Sequence, residues 1–168
     1  ISDRLLMTVI LALAALLFSW ILAFPIGIYS AVKQYSIGDY SFTFVGMMGL
    51  AIPDFLLGLV LMYGGFKLFG TNIGGLFSPE YVSESWSFAR AWDLVKHLWI
   101  PALIIGTAGT AALIRIMRAN LIDELRKPYV VTARAKGLPE YKLVLKYPVR
   151  VALNPFVSTV GYSFPLLM

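Results

Sequence analysis

The chain reads as an all-α integral membrane protein, a polytopic helical bundle, and three observations lead there. Hydrophobic residues fill 59% of its 168 positions and charged residues only 14%, against roughly 45–50% and about 25% in soluble domains. Mean hydropathy is correspondingly high, at +0.78. Four segments have the character of membrane spans, and one connection between two of them gathers most of the basic residues. A spanning helix needs about 20 apolar residues, within a range of roughly 17–25.

The first predicted span, residues 5–29, carries no charge. It is too long for the apolar region of a secretory signal and lacks a small-residue cleavage site in the right place. A short connection, 30–39, holds Lys33 and leads into the second span, 40–66, whose single charge is Asp54 beside Pro53. An ionisable group at membrane depth is costly and often lines a water-filled path. Pro53 and Asp54 are therefore a candidate piece of a translocation path, the alternative being a carboxyl neutralised or paired within the bundle. The next connection, 70–97, is rich in Gly and aromatics (Gly70, Gly74, Gly75, Trp86, Trp92), and its Glu80, Glu84 and Asp93 outnumber Arg90 and Lys96. Residues 91–98 are predicted as a short amphipathic helix at the membrane surface, with Trp92 and Trp99 as interfacial anchors.

The third span, 98–114, is short but uncharged, with Pro101 in its first turn, where a missing N–H costs nothing. Gly106, Gly109 and the Thr and Ala residues around them make a small-residue surface suited to close helix packing. The connection 115–150 then carries nine Lys/Arg against three acids, a net +6 in a chain whose total is +5. Lys and Arg collect in cytoplasmic loops, so 115–150 and 30–39 are expected inside and 70–97 outside. Arg115 and Arg118 read as anchors of the inner end of the third span. The fourth span, 151–168, runs to Met168, and the chain opens at Ile1 directly before a span, so a longer protein with sequence missing at both ends is expected.

Within 115–150 the residues Tyr129 to Lys136 hold no helix breaker. Gly137 supplies the left-handed conformation that ends a helix, and Pro139 suits the start of a second one, Glu140 to Lys146. The result is a compact knuckle: helix, Gly-Leu-Pro corner, helix. Val130, Ala133, Arg134 and Gly137 share one face by spacing, small enough to admit a partner surface. By composition alone, an ordinary solvated loop touching anionic lipid fits equally well.

The run YVVTARAKGLPEYKLVLKYPVRVALNP, residues 129–155, resembles the cytoplasmic signature loop of binding-protein-dependent ABC importer permeases. It is most similar to that of the first permease subunit in the dipeptide, oligopeptide and nickel group. Tyr129, Val130, Thr132, Ala133, Arg134, Ala135, Lys136, Gly137 and Leu138 match the loop directly, and Arg150, Ala152, Leu153 and Pro155 match beyond it. Residues 52–59 (IPDFLLGL) and 97–106 (HLWIPALIIG) also fall at the family's places. Val131 stands where the family usually has Arg, Tyr147-Pro148 replaces a common His-Ala, and Val151 replaces Asn.

The resemblance implies a permease of the type I importer fold, of which these 168 residues form a partial transmembrane domain with about four spans. It implies an ATPase-coupling loop that includes the matched residues and Glu140. It also implies a second homologous permease subunit, two ABC ATPase subunits and an external solute-binding protein, assembled in the cytoplasmic membrane of a prokaryote. No phosphate-binding G-x-x-x-x-G-K-[S/T] run occurs in the chain, so ATP is expected to be used by a partner subunit and no cofactor bound here. With no cysteine and one histidine, His97, thiol chemistry and multi-histidine metal sites are excluded. His97 reads as structural, no catalytic cluster is apparent, and nucleic acid is not an expected partner. Two alternatives remain from the residues alone. One is a secondary transporter or channel, for which only Asp54 is available as an ion-coupling group. The other is a membrane scaffold whose basic loop recruits a partner.

Overall fold

The computed structural model describes residues 2–69, 75–82 and 84–158. Gly70 and Gly74 of the predicted outer connection, and positions 159–168 of the fourth predicted span, lie outside the described residues. Helices make the fold, with no strand among the described residues: α1 (Ser2–Val32), α2 (Ile37–Ala51), α3 (Asp54–Phe69), α4 (Phe88–Leu125), α5 (Pro128–Ala135), α6 (Glu140–Lys146) and α7 (Pro148–Ala152), with a single 3-10 turn at Pro79–Tyr81. The all-α membrane class read from composition is the observed one.

Two predicted elements come out differently. The 40–66 stretch is divided: α2 ends at Ala51 and α3 starts at Asp54. Pro53 has no N–H to continue α2, while its carbonyl opens α3 by accepting from the amides of Leu56 (2.9 Å) and Leu57 (3.1 Å). The second difference is α4, 38 residues long. It absorbs the predicted surface helix 91–98, the span 98–114 and the start of the basic connection. Hydropathy changes along it, but backbone hydrogen bonding does not depend on polarity. Pro101 consequently lies inside the helix rather than in its first turn. By length and composition, Leu5–Val32 is the one unbroken helix among the described residues able to cross a membrane. α2 with α3, and the two parts of α4, meet the same test only when each bent pair counts as one span.

The chain divides into two compact units. One combines Ile1–Ser19 with Met48–Gly109, the other Trp20–Met47 with Thr110–Met168. In the first, the small residues of α4 do what their size suggests. The Ser19 hydroxyl donates to the Gly106 carbonyl at 2.9 Å. A Cβ on Gly106 would stand 2.6 Å from the Phe18 ring, so only glycine admits this approach of α1 and α4. The same unit holds the 75–97 connection by polar and aromatic contacts. Ser78 donates its backbone N–H (2.7 Å) and hydroxyl (2.8 Å) to the Asp93 carboxylate, and His97 Nδ1 lies 2.9 Å from the Asp93 carbonyl. The Arg90 guanidinium sits over the rings of Phe77 and Trp86, 4.8 and 4.9 Å from their centroids, and also donates to the Glu84 carbonyl.

The second unit is organised around an apolar core. Ala31 of α1, Met117 and Leu121 of α4, Val130 of α5, Leu143 and Val144 of α6, Val149 and Ala152 of α7, and Phe156 are buried together, with Trp20, Phe24 and Ile28 packed against them. Phe24 meets Phe156 edge-on at 5.0 Å. Gly27 lies so close to Met117 that a Cβ would fall 2.7 Å from that side chain.

Candidate functional site

The predicted knuckle is present, and its corner can be traced residue by residue. Pro128 opens α5 at a position where its missing N–H is harmless, and it holds Lys127 extended at φ −68°, ψ 147°. α5 ends at Ala135. Gly137 takes φ +79°, its N–H donates to the Arg134 carbonyl at 3.0 Å, and the Leu138 N–H reaches the Ala133 carbonyl at 3.4 Å. These two bonds are the Schellman closure that a left-handed glycine makes available. Pro139 then caps α6 in extended conformation at ψ 140°.

Across the corner, Arg134 grips Glu140 with two parallel bonds, Nε to Oε2 at 3.1 Å and Nη2 to Oε1 at 2.6 Å. The guanidinium holds the Glu140 carboxyl below its ordinary pKa, with burial opposing it. Both side chains are about half exposed, so the pair orients the corner more than it stabilises it. At the root of α5 the Tyr129 hydroxyl donates to Glu124 at 2.7 Å. Burial, then the bond to the Glu124 carboxylate, pushes the Tyr129 phenol up to about 12.

Half of the face of α5 predicted to admit a partner, Val130 and Ala133, points into the core, while Arg134 and Gly137 stay exposed. Val130 is fully buried and Ala133 packs against the same core, as does Leu138. Val130, Ala133 and Leu138 thus join the knuckle to α1 and α4 and are not free for another protein. What α5 and its C-terminal corner expose is the remainder: Tyr129, Val131, Thr132, Arg134, Ala135, Lys136 and Gly137, with Glu140 and Tyr141 beyond the corner. Thr132 is tied down by a hydroxyl bond to the Pro128 carbonyl at 3.0 Å.

Pro53 and Asp54 form the break between α2 and α3, and both are exposed. Asp54 opens α3, where a carboxylate suits the positive end of the helix dipole. The described residues contain no group of three or more His, Asp or Glu able to hold a metal ion.

One pair escaped the sequence reading. Arg118, expected only to anchor the inner end of the third span, makes a two-pronged bond to Asp39, Nε to Oδ1 at 3.1 Å and Nη2 to Oδ2 at 2.9 Å. Asp39 is only 3% exposed. Half of the signal was visible: Ser36-x-x-Asp39 before an apolar run is capping-box spacing, and Asp39 N–H does donate to Ser36 Oγ at 3.2 Å. Its partner lies 79 residues away, where no local pattern points.

Known proteins are similar to this chain in sequence. The model of the binding-protein-dependent transport system inner membrane component family matches residues 23–168. An oligopeptide transport system permease protein, AppB of Bacillus subtilis, is 34% identical over 165 residues, covering 98% of this chain and 51% of that protein. A putative peptide permease protein of Brucella ovis is 34% identical over 99% of this chain and 50% of its own length. The glutathione transport system permease protein GsiC of Pectobacterium atrosepticum is 33% identical over all of this chain and 50% of its own length. The chain thus spans about half the length of the curated relatives it matches. With a match running from within α1 through the knuckle to residue 168, the chain belongs to the family of binding-protein-dependent transport system inner membrane components.

Proposed function

We propose that this chain is part of the transmembrane permease subunit of an ATP-driven ABC importer in the cytoplasmic membrane of a prokaryote. The solute is a peptide or a peptide-sized molecule; the names of the relatives, oligopeptide, peptide and glutathione permeases, favour that class. The subunit is multi-pass and non-catalytic. It works beside a second homologous permease, receives solute from an external solute-binding protein, and leaves ATP to two ATPase subunits.

The observation that carries the reading is the construction of the knuckle. Its inner face is one core with α1 and α4, so α5 and α6 can move only together with those helices. Its outer face offers Val131, exposed at 57%, flanked by Tyr129, Thr132, Ala135 and Lys136. A close-packed body of this kind transmits displacement because packed interiors are stiff. ATP-driven closure of the ATPases would then bias the helices between two arrangements, a ligand-shifted two-state equilibrium. The Pro53–Asp54 break is the candidate hinge or lining of the path.

Replacing Val131 and Lys136 by Glu in the full-length permease tests this. Neither side chain is in the core, so membrane abundance is expected to hold while co-purification with the ATPase and solute uptake fall together. Normal ATPase retention and uptake in the double variant would remove the knuckle from the docking surface.

A further inference from the structure

We infer that Asp39 and Arg118 form the joint through which displacement of the knuckle is passed to α2; the inference rests on the docking reading above. All the contacts lie within one compact unit. Arg118 follows Met117 and stands one turn before Leu121, both fully buried in the core that carries α5 and α6. Asp39 sits in the first turn of α2. The guanidinium therefore extends from the helix that bears the knuckle to the base of the helix that leads, along the chain, to Pro53.

The receiving end is built to be stiff. The Asp39 carboxylate accepts two bonds from Arg118 and a third from the Tyr35 backbone N–H at 3.0 Å. Tyr35 holds φ 61°, a left-handed conformation uncommon for a residue with a side chain. That geometry persists only where the surroundings over-determine it. Gly38 is packed against Tyr29 so closely that a Cβ would fall 2.5 Å from the phenol oxygen, and Tyr29 meets Phe42 edge-on at 5.7 Å. The end of α1, the turn and the base of α2 are thus one seat for the arginine. Outside that seat the pair is asymmetric: the Asp39 side chain is 4% exposed and that of Arg118 30%. A planar two-pronged grip fixes direction as well as distance, which a lysine ammonium cannot do.

The experiment uses the complete permease assembled with its ATPase in lipid nanodiscs or proteoliposomes. Asp39→Asn, Arg118→Lys and the exchanged pair Asp39→Arg/Arg118→Asp are compared with the parent for ATPase retention, ATP hydrolysis and solute moved per ATP. The expected result is retained ATPase and retained basal hydrolysis in Arg118→Lys, with transport per ATP down by about tenfold, inside the usual range of coupling free energies. Asp39→Asn is expected to do the same. The exchanged pair should recover part of the loss, which a role in bulk stability alone does not require. If either single variant fails to reach the membrane, the exchanged pair decides: recovered assembly with recovered transport per ATP supports the joint, and recovered assembly without it overturns it. Parent-level transport per ATP in Arg118→Lys overturns the inference and leaves the docking reading standing. Failure of the docking reading shows separately, as ATPase retention unaffected by Val131→Glu/Lys136→Glu.

Discussion

The two predicted connections that run into the ends of α4 are opposite kinds of structure. The 75–97 segment is pinned by point contacts: an Asp93 carboxylate on Ser78 and an Arg90 guanidinium between two aromatic rings. Phe88, where α4 begins within it, is left 88% exposed. The 115–150 segment, although it carries most of the chain's basic residues, is held by an apolar core with Val130 and Leu143 completely buried. Charge content and rigidity are therefore independent. A basic loop can be the stiffest part of a connection when its apolar residues fall on one helical face and meet the ends of longer helices.

The largest effect that would break this contrast is in the core. Leu143→Ala removes a fully buried side chain and should cost about 2–5 kcal/mol, as leucine truncations in cores do. Trp86→Ala in the other connection removes a half-exposed ring and a cation–π contact, worth about 0.5–1 kcal/mol at an exposed site. Thermal midpoints of the two variants in detergent measure the difference. Equal shifts would mean the two connections are held alike.

A smaller effect separates corner geometry from packing. A Cβ at position 137 would meet nothing within 4 Å, so Gly137→Val acts only through its φ of +79°. The expected cost is about 1–2 kcal/mol for forcing a side chain into the left-handed region. Gly137→Asn, which tolerates that region, should cost less. ATPase retention should follow the same order, Gly137, then Asn, then Val. A reversed order would show that the corner is not what positions the knuckle.

The smallest effects are in titration. Glu140 is held below its ordinary pKa, so the Arg134 grip contributes at pH values above about 4.3 and is lost as the pH falls through the depressed value. Tyr129 moves the other way. Its folded value of about 12 lies above its unfolded one, so its contribution is complete below about pH 10 and disappears as the pH rises through about 12. The ultraviolet difference between parent and Tyr129→Phe should place that inflection near 12. An inflection near 10 would contradict both the burial of the Tyr129 phenol and its bond to Glu124.

The elements legible in the sequence were those with local causes. Gly137 and Pro139 set the corner, and α6 runs over the predicted Glu140–Lys146. Three features were not legible. The orientation of the Val130–Ala133 stripe depends on what lies beyond the helix. Small residues alone did not reveal that the stripe packs against α1 and α4 rather than a partner. The Asp39–Arg118 pair depends on a contact across 79 positions, of which only the Ser36–Asp39 cap is local. The length of α4 was hidden for a different reason, because polarity changes along its 38 residues while helix formation continues on both sides of its bend.

Two valines allow the most direct test of the proposal that α5 docks on an ATPase subunit. Val131 on α5 and Val82 in the other connection are exposed to the same degree, 57% and 59%, and the chain has no cysteine of its own. Single Val131→Cys and Val82→Cys permeases, assembled with the ATPase and treated with a short thiol-to-amine cross-linker, should differ completely. Position 131 is expected to link to the ATPase chain and position 82 is not. A link from 82, or none from 131 in an assembled complex, would contradict the account.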